Sequence, residues 1–329
     1  RSEQVFVASL SNTKIDLSKQ STSTITVQDG PSLDAASAWL SFVEKKKKMR
    51  TKPWPNVVII MLESVSFDHL GFSGYRRDVS PNIDSLAERS VVYERAYTTS
   101  TQSNYAQMSI LSSLVPIRRK RLDRYQTLNY PRVLWNDILG QLGYKTATIS
   151  SQNESWQGML KFQTSVSAKI VDSHKYLHST DLKHLATGRT SEMKLPDHIT
   201  MDHAIGWLKS TSKPFGLYVN LQKTHFPYAP NGAYRRRWLP DEARGVYNYM
   251  YYKPSEAKRV VNRYDNALAY VDEQIGRLIK YLSDAQVLDN TIVALVSDHG
   301  EMFGQGGMTT HGKSLHSQQI HVPMLLYSP

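Results

Sequence analysis

The 329-residue chain contains no cysteine. Disulfides, thiolate metal sites and cysteine nucleophiles are therefore excluded, and an oxidising compartment is compatible with the composition. It also lacks any continuous apolar run of about 18 residues or more, so no segment of it reads as a membrane span. It opens at Arg1 rather than Met, and its last apolar stretch ends in Ser-Pro. It therefore reads as a piece of a longer protein, with any membrane anchor lying upstream. Acidic residues are the scarcer charge, 29 against 40 Lys and Arg, giving a formal net charge of +11. Such a balance favours anionic partners. The basic residues cluster at Lys45–Lys48 with Arg50, at Arg118–Arg121 and at Arg235–Arg237. No nucleic-acid module and no base-reading helix accompanies them, which leaves an anionic membrane surface or an anionic substrate as the expected partner.

What is present is an alternation of strand and helix patterns. Asn56–Leu62 (NVVIIML), Tyr144–Ser150, Pro214–Leu221, Thr291–Val296 and Val322–Tyr327 read as buried strands, and Ser90–Tyr97 as a further strand. Residues 34–50, Tyr105–Leu114, Val133–Leu142 and His198–Lys209 read as helices. Val261, Tyr264, Leu268, Val271, Ile275, Leu278 and Leu282 recur at spacings of three and four and mark the clearest amphipathic helix. The order predicts an α/β fold with a mostly parallel central sheet and helices on both faces. Residues 1–52 read as a lead-in segment with a basic helix, and residues 53–329 as one catalytic domain.

In parallel α/β sheets ligands gather at the carboxyl ends of the strands. Glu63 follows the first buried strand, and Asp298-His299-Gly300-Glu301 follows the strand at 291–296. Lys223-Thr224-His225 follows the strand at 214–221, and Ser151-Gln152-Asn153 the strand at 144–150. Carboxylates with imidazole suit Zn²⁺ or Mn²⁺ better than Ca²⁺ or Mg²⁺. The hydroxyl-rich stretch from Tyr97 to Tyr105 precedes a helix pattern. A Ser or Thr there can act as a metal-activated nucleophile on an anionic ester, or simply cap the helix. Asp68 and His69 read as local loop structure, and His174, His178, His184, His198 and His203 as surface or cap residues.

The succession PNVVIIMLES, SPNIDSLAERS, AYTTSTQSNYAQMSILSSLVP, SDHGE and HGKSLHSQQIHVPMLLYSP resembles the sulfatase branch of the alkaline phosphatase superfamily over residues 53–329. In motif it is most similar to the phosphoethanolamine transferases and the lipoteichoic-acid-synthase-like phosphoglycerol transferases. The resemblance implies metal ligation by Glu63, Asp298, His299 and Ser103. Ser103 is the implied nucleophile, with Thr101 as the alternative. His225 and His311 are implied beside the reacting ester, and Lys313 as a substrate contact. Gln152, Asn153 and Trp156 fall in the segment where the phosphoglycerol transferases hold their substrate. The formylglycine signal of true sulfatases, C/S-x-P/A-x-R, is absent: Tyr105 and Gln107 stand at its third and fifth positions. The resemblance thus implies an extracytoplasmic phospho-group transferase with an unmodified hydroxyl nucleophile, acting on lipid or envelope glycan. A sulfatase- or phosphodiesterase-type ester hydrolase of the same fold is the first alternative, and a non-catalytic sensor domain the second.

Overall fold

A computed structural model describes residues 33–49, 51, 53–115, 132–154, 156–163, 174–177, 194–211, 214–228, 236–242 and 252–329. The strands, in chain order, are β1 (Asn56–Leu62), β2 (Val91–Val92), β3 (Lys145–Ser150), β4 (His174–Leu177), β5 (Phe215–Leu221), β6 (Thr291–Ser297), β7 (Met302–Phe303), β8 (Thr309–Thr310) and β9 (Met324–Tyr327). Seven of them form one sheet in the order β2-β9-β6-β1-β5-β3-β4. β6, β1, β5, β3 and β4 run parallel, and β9 and β2 close one edge antiparallel. The expected mostly parallel sheet is what forms.

The helices are α1 (Leu33–Met49), α2 (Pro81–Ala87), α3 (Ser103–Ser112), α4 (Trp135–Gln141), α5 (Met159–Gln163), α6 (Asp197–Ser210), α7 (Ala257–Asp284) and α8 (Ser317–Ile320). Strand side chains alternate between faces, so each buried strand feeds two cores. Val58, Ile60 and Leu62 of β1, with Leu217, Val219 and Leu221 of β5, pack under α2, α6 and α7. Ile59 and Met61, with Tyr218, pack on the opposite face against Met108 and Leu111 of α3, Leu134 and Trp135 at α4, and Met159 and Phe162 of α5. Glu63 continues the parity of Ile59 and Met61, which directs it to the α3 side.

Two expectations shift. The strand expected over Ser90–Tyr97 pairs only at Val91–Val92. A turn at Glu94–Arg95 interrupts it, and pairing resumes as a single bridge from Tyr97 to His321. The helix expected to begin at Tyr105 begins at Ser103. Residues 1–32, the basic clusters at 118–121 and Arg235, and His178 and His184 lie outside the described residues.

Candidate active site

Strand register brings the site together. Leu62 of β1 lies level with Leu221 of β5 and Ser297 of β6. The next residue of each strand, Glu63, Gln222 and Asp298, therefore stands in one row at the carboxyl edge. Backbone bonds continue the ladder one step further, from Glu63 N–H to Leu221 O (3.2 Å) and from Asp298 N–H to Leu62 O (3.2 Å). Ser64 then turns the chain away with φ +57°, and its N–H donates to Asp298 Oδ1 at 3.0 Å.

Ser103 is the first residue of α3, and Gln102 holds the N-cap position without a side-chain bond to the helix. The capping role for Ser103 is therefore ruled out. Its hydroxyl faces the strand ends instead, 3.1 and 3.3 Å from the two oxygens of Glu63 and 3.1 Å from His299 Nε2. Thr101 is buried and makes none of these bonds.

His299 Nδ1 lies 3.0 Å from Gly300 O. A carbonyl can only accept, so Nδ1 carries the proton and the Nε2 lone pair points at Glu63 and Ser103. One donor atom each from Glu63, Asp298 and His299 lies within 4.8 Å of the others, all buried.

The charges show what this cluster is short of. Burial by itself raises the pKa of Glu63. The imidazoles of His225, His299 and His311 and the Lys194 ammonium outweigh it and hold the group below the usual carboxylate range. Burial, then the Glu63 charge, pushes Asp298 well above its usual range. His299 is lowered to about 3, by burial and then by His311, so it is a neutral ligand at physiological pH. The two buried carboxylates lie close enough to oppose each other's ionisation. Asp298 Oδ2 has no hydrogen-bond partner although fully buried. Two carboxylates, one oriented imidazole and an orphan buried oxygen fit a divalent cation.

Around this centre, Gln222 Nε2 donates to Glu63 Oε2 (3.0 Å), and Thr224 Oγ1 donates to the Glu63 carbonyl (2.5 Å). The His311 ring lies 4.1 Å, centroid to centroid, from His299, and the His225 ring 6.1 Å from His311. His311 Nδ1 sits 3.2 Å from Glu301 Oε1, whose other oxygen accepts from Tyr228 Oη at 2.6 Å. Burial opposes protonation of His311, but the Glu301 charge prevails and raises its pKa. His225 goes the other way: burial and then the Lys194 charge lower it to about 3, and its Nδ1 is committed to Phe226 O at 2.5 Å.

The structure thus brings together Glu63, Ser103, Asp298, His299, His311 and His225. Lys313 stands exposed on the loop after β8. Trp156 is 46% exposed and Asn153 half-buried in the turn after β3. Gln152 is buried in the same turn, and its amide donates to Met159 Sδ at 3.4 Å. Sequence reasoning missed Gln222, which ends the run GLYVNLQ and occupies the same row as Glu63. It also missed Lys194, which acts on Glu63, His225 and His299 from a stretch without periodicity.

A parallel α/β sheet whose strand ends carry this hydroxyl, carboxylate and imidazole set is alkaline-phosphatase-like in fold, an architecture shared by enzymes of sulfate and phosphate esters. The family profile named Sulfatase matches residues 55–329, and the chain belongs to that family. Among curated relatives, the arylsulfatase of Clostridium perfringens (strain 13 / Type A) is 24% identical over 84% of this chain and 69% of its own length. Human iduronate 2-sulfatase is 24% identical over 83% of this chain and 60% of its own length. The chain thus spans well short of the full length of either. Among solved structures, the phosphonate monoester hydrolase of Agrobacterium radiobacter superposes with a TM-score of 0.64 at 16% identity, covering 84% of this chain and 68% of the other. The soluble domain of lipooligosaccharide phosphoethanolamine transferase A from Neisseria meningitidis gives 0.62 at 20% identity, covering 84% and 78%. These structural likenesses establish the fold.

Proposed function

We propose that residues 53–329 form the extracytoplasmic catalytic domain of a metal-dependent phospho-group transferase that uses Ser103 as its nucleophile. The observation carrying this reading is the placement of the Ser103 hydroxyl at 3.1 Å from both Glu63 Oε1 and His299 Nε2, at the amino end of α3. Glu63, Asp298, His299 and the Ser103 oxygen would hold the ion, and Zn²⁺ or Mn²⁺ would suit them. A cation bound there supplies Lewis acidity that lowers the pKa of the Ser103 hydroxyl. Ser103 Oγ then forms a bond to phosphorus in line with the departing ester oxygen. The early amides of α3 face the phosphoryl oxygens with positive potential. His311, whose pKa the Glu301 charge raises, gives its proton to the leaving oxygen in this reading. His225 takes the proton of the incoming acceptor hydroxyl, which attacks the phospho-serine and restores Ser103. Gln152, Asn153, Trp156 and Lys313 are the proposed contacts to the rest of the substrate.

The substrate reading is a lipid or cell-envelope glycan at an anionic membrane surface. The exposed Lys45–Lys48 on α1 supports the surface part of it, and the likeness to the lipooligosaccharide enzyme of Neisseria supports the class. No helix among the described residues is long and apolar enough to cross a membrane. A second reading, ester hydrolysis with water as acceptor, is favoured by the curated sulfatase relatives. Tyr105 and Gln107, in place of the residues that direct formylglycine formation, weigh against a modified nucleophile. A panel of p-nitrophenyl phosphate, bis-p-nitrophenyl phosphate and p-nitrophenyl sulfate separates the two. Turnover of phosphoesters stimulated by added alcohol acceptors supports transfer. Turnover of the sulfate ester alone overturns it.

A further inference from the structure

We propose that Glu154 is a positioning residue for Glu63, acting through a directed chain of two side-chain amides, Asn220 and Gln222. The proposal rests on the reading of Glu63 as a cation ligand. Glu154 sits in the turn after β3 and is completely buried. Its three hydrogen-bond donors are neutral: Ser150 Oγ at 2.5 Å, Gln163 Nε2 at 2.7 Å and Asn220 Nδ2 at 3.1 Å. A buried carboxylate without a basic hydrogen-bond partner is costly, and an apolar side chain would fill the same space more favourably. Packing alone does not account for a carboxyl at this place.

The geometry supplies one. Side chains alternate along β5, so Asn220 and Gln222 share the face on which Glu63 projects from the neighbouring β1. Burial raises the pKa of the Glu154 carboxyl, and its Oε1 accepts from Asn220 Nδ2, so Asn220 turns its nitrogen toward Glu154 and its oxygen toward Gln222. Gln222 then must turn its nitrogen inward. One N–H of Nε2 goes to Asn220 Oδ1 at 2.7 Å and the other to Glu63 Oε2 at 3.0 Å. With both hydrogens used, Gln222 Oε1 is left buried without a partner. That orphan oxygen marks an orientation imposed from outside the residue. The imposed direction keeps the Gln222 oxygen away from the Glu63 carboxylate and keeps a donor on Oε2. The Gln222 backbone is held separately by Asp197, which accepts from Gln222 N–H at 3.0 Å and Lys223 N–H at 2.9 Å. Changes at Glu154 therefore act on the side-chain relay and leave the loop in place.

The test is Zn²⁺ affinity of the metal-free protein, measured by titration against a competing chelator, with thermal unfolding of the metal-free forms as the control for folding. Glu154→Gln can donate as well as accept, so it no longer fixes the direction of the chain. Zn²⁺ binding is expected to weaken by about tenfold or more, the usual consequence of disturbing the support of a ligand. Asn220→Leu cuts the same chain without touching Glu154 and is expected to give a similar loss. The double variant is expected to lose no more than the worse single one, because both break one path. Zn²⁺ affinity within about twofold of wild type in a folded Glu154→Gln or Asn220→Leu protein overturns the proposal, as do losses that multiply in the double variant. If Glu154→Gln does not fold, Asn220→Leu decides alone. Glu63→Ala is the parallel arm: unchanged Zn²⁺ binding there removes the cation-site reading itself, a result distinct from failure of the relay.

Discussion

At the scale of single residues, the site is a set of orientation problems solved by neighbours. The Gly300 carbonyl fixes the tautomer of His299, the Ser64 amide holds Asp298, and the strand ends draw the Ser103 hydroxyl away from its own helix. Ser103→Ala is expected to abolish turnover and covalent phosphate labelling, while metal content measured by atomic absorption stays near wild type. Glu63→Ala is expected to lose metal and activity together. Near-normal turnover in the first, or full metal content in the second, removes the corresponding assignment. Glu63, Asp298 and His299 were legible in the sequence because each follows an unmistakable buried strand. Ser103 was legible through its hydroxyl-rich surroundings and through resemblance. Glu154, Asn220 and Gln222 were not. A lone Glu in a turn and two amides at a strand end carry no spacing signature, and their meaning lies in hydrogen-bond direction across three strands. His69 was read as loop structure, yet its Nε2 lies 2.7 Å from the fully buried Asp265 on α7, which also accepts from Tyr75 and Arg77.

At the scale of elements, helix existence was readable and helix starts were not. The apolar face of α7 repeats over about six turns, so its presence is overdetermined. The start of α3 depends on where Ser103 finds partners in other strands, which no local pattern records. Two elements invite measurement. Gly300, beside His299, packs so that an added Cβ would meet Gln318 O at 2.0 Å and Ser66 Oγ at 2.6 Å. Gly300→Ala is expected to cost about 2–3 kcal/mol of stability, read by urea unfolding, because the nearest obstacle is backbone and cannot swing aside. Asp272 on α7 accepts from Asn82 N–H (3.1 Å), Ile83 N–H (2.8 Å) and the Asn82 side-chain amide (2.7 Å), tying the start of α2 to α7. Burial pushes its pKa up to about 6 despite these donors. The folded state therefore holds this proton more tightly than the unfolded state. Its contribution to stability is greatest below about pH 4 and is lost as pH rises through 6. The stability of wild type relative to Asp272→Asn is expected to fall by roughly 1–2 kcal/mol between pH 5 and pH 8. A difference that is flat with pH, or rises, contradicts the assignment.

At the scale of the whole molecule, a net charge of +11 surrounds a centre where acidic ligands gather. The exposed Lys45 and Lys46 fall with the exposed Phe42 and Met49 on one basic and partly apolar face of α1, while Lys47 turns to the Gln141 carbonyl. Each Lys or Arg near an anionic surface contributes on the order of 1 kcal/mol. Association with vesicles containing anionic phospholipid is expected to be measurable by co-sedimentation at low ionic strength and to fall steeply as salt is raised. Binding that ignores ionic strength, or equal binding to neutral vesicles, contradicts the surface reading.

The level ends of β1, β5 and β6 have a consequence for how the protein tolerates change in length. The reactive centre is assembled by counting: Glu63, Gln222 and Asp298 meet because each is one step past residues already paired with one another. Inserting or deleting one residue within Thr291–Ser297 would leave a strand there but carry the Asp298 carboxylate to the opposite side of the sheet. The same edit between β7 and β8, in the exposed Gln305–Gly307 turn, changes no pairing in the large sheet. A library of single-codon insertions and deletions should therefore show inactive but foldable variants concentrated in the parallel strands, a pattern that substitution scanning alone would not reveal.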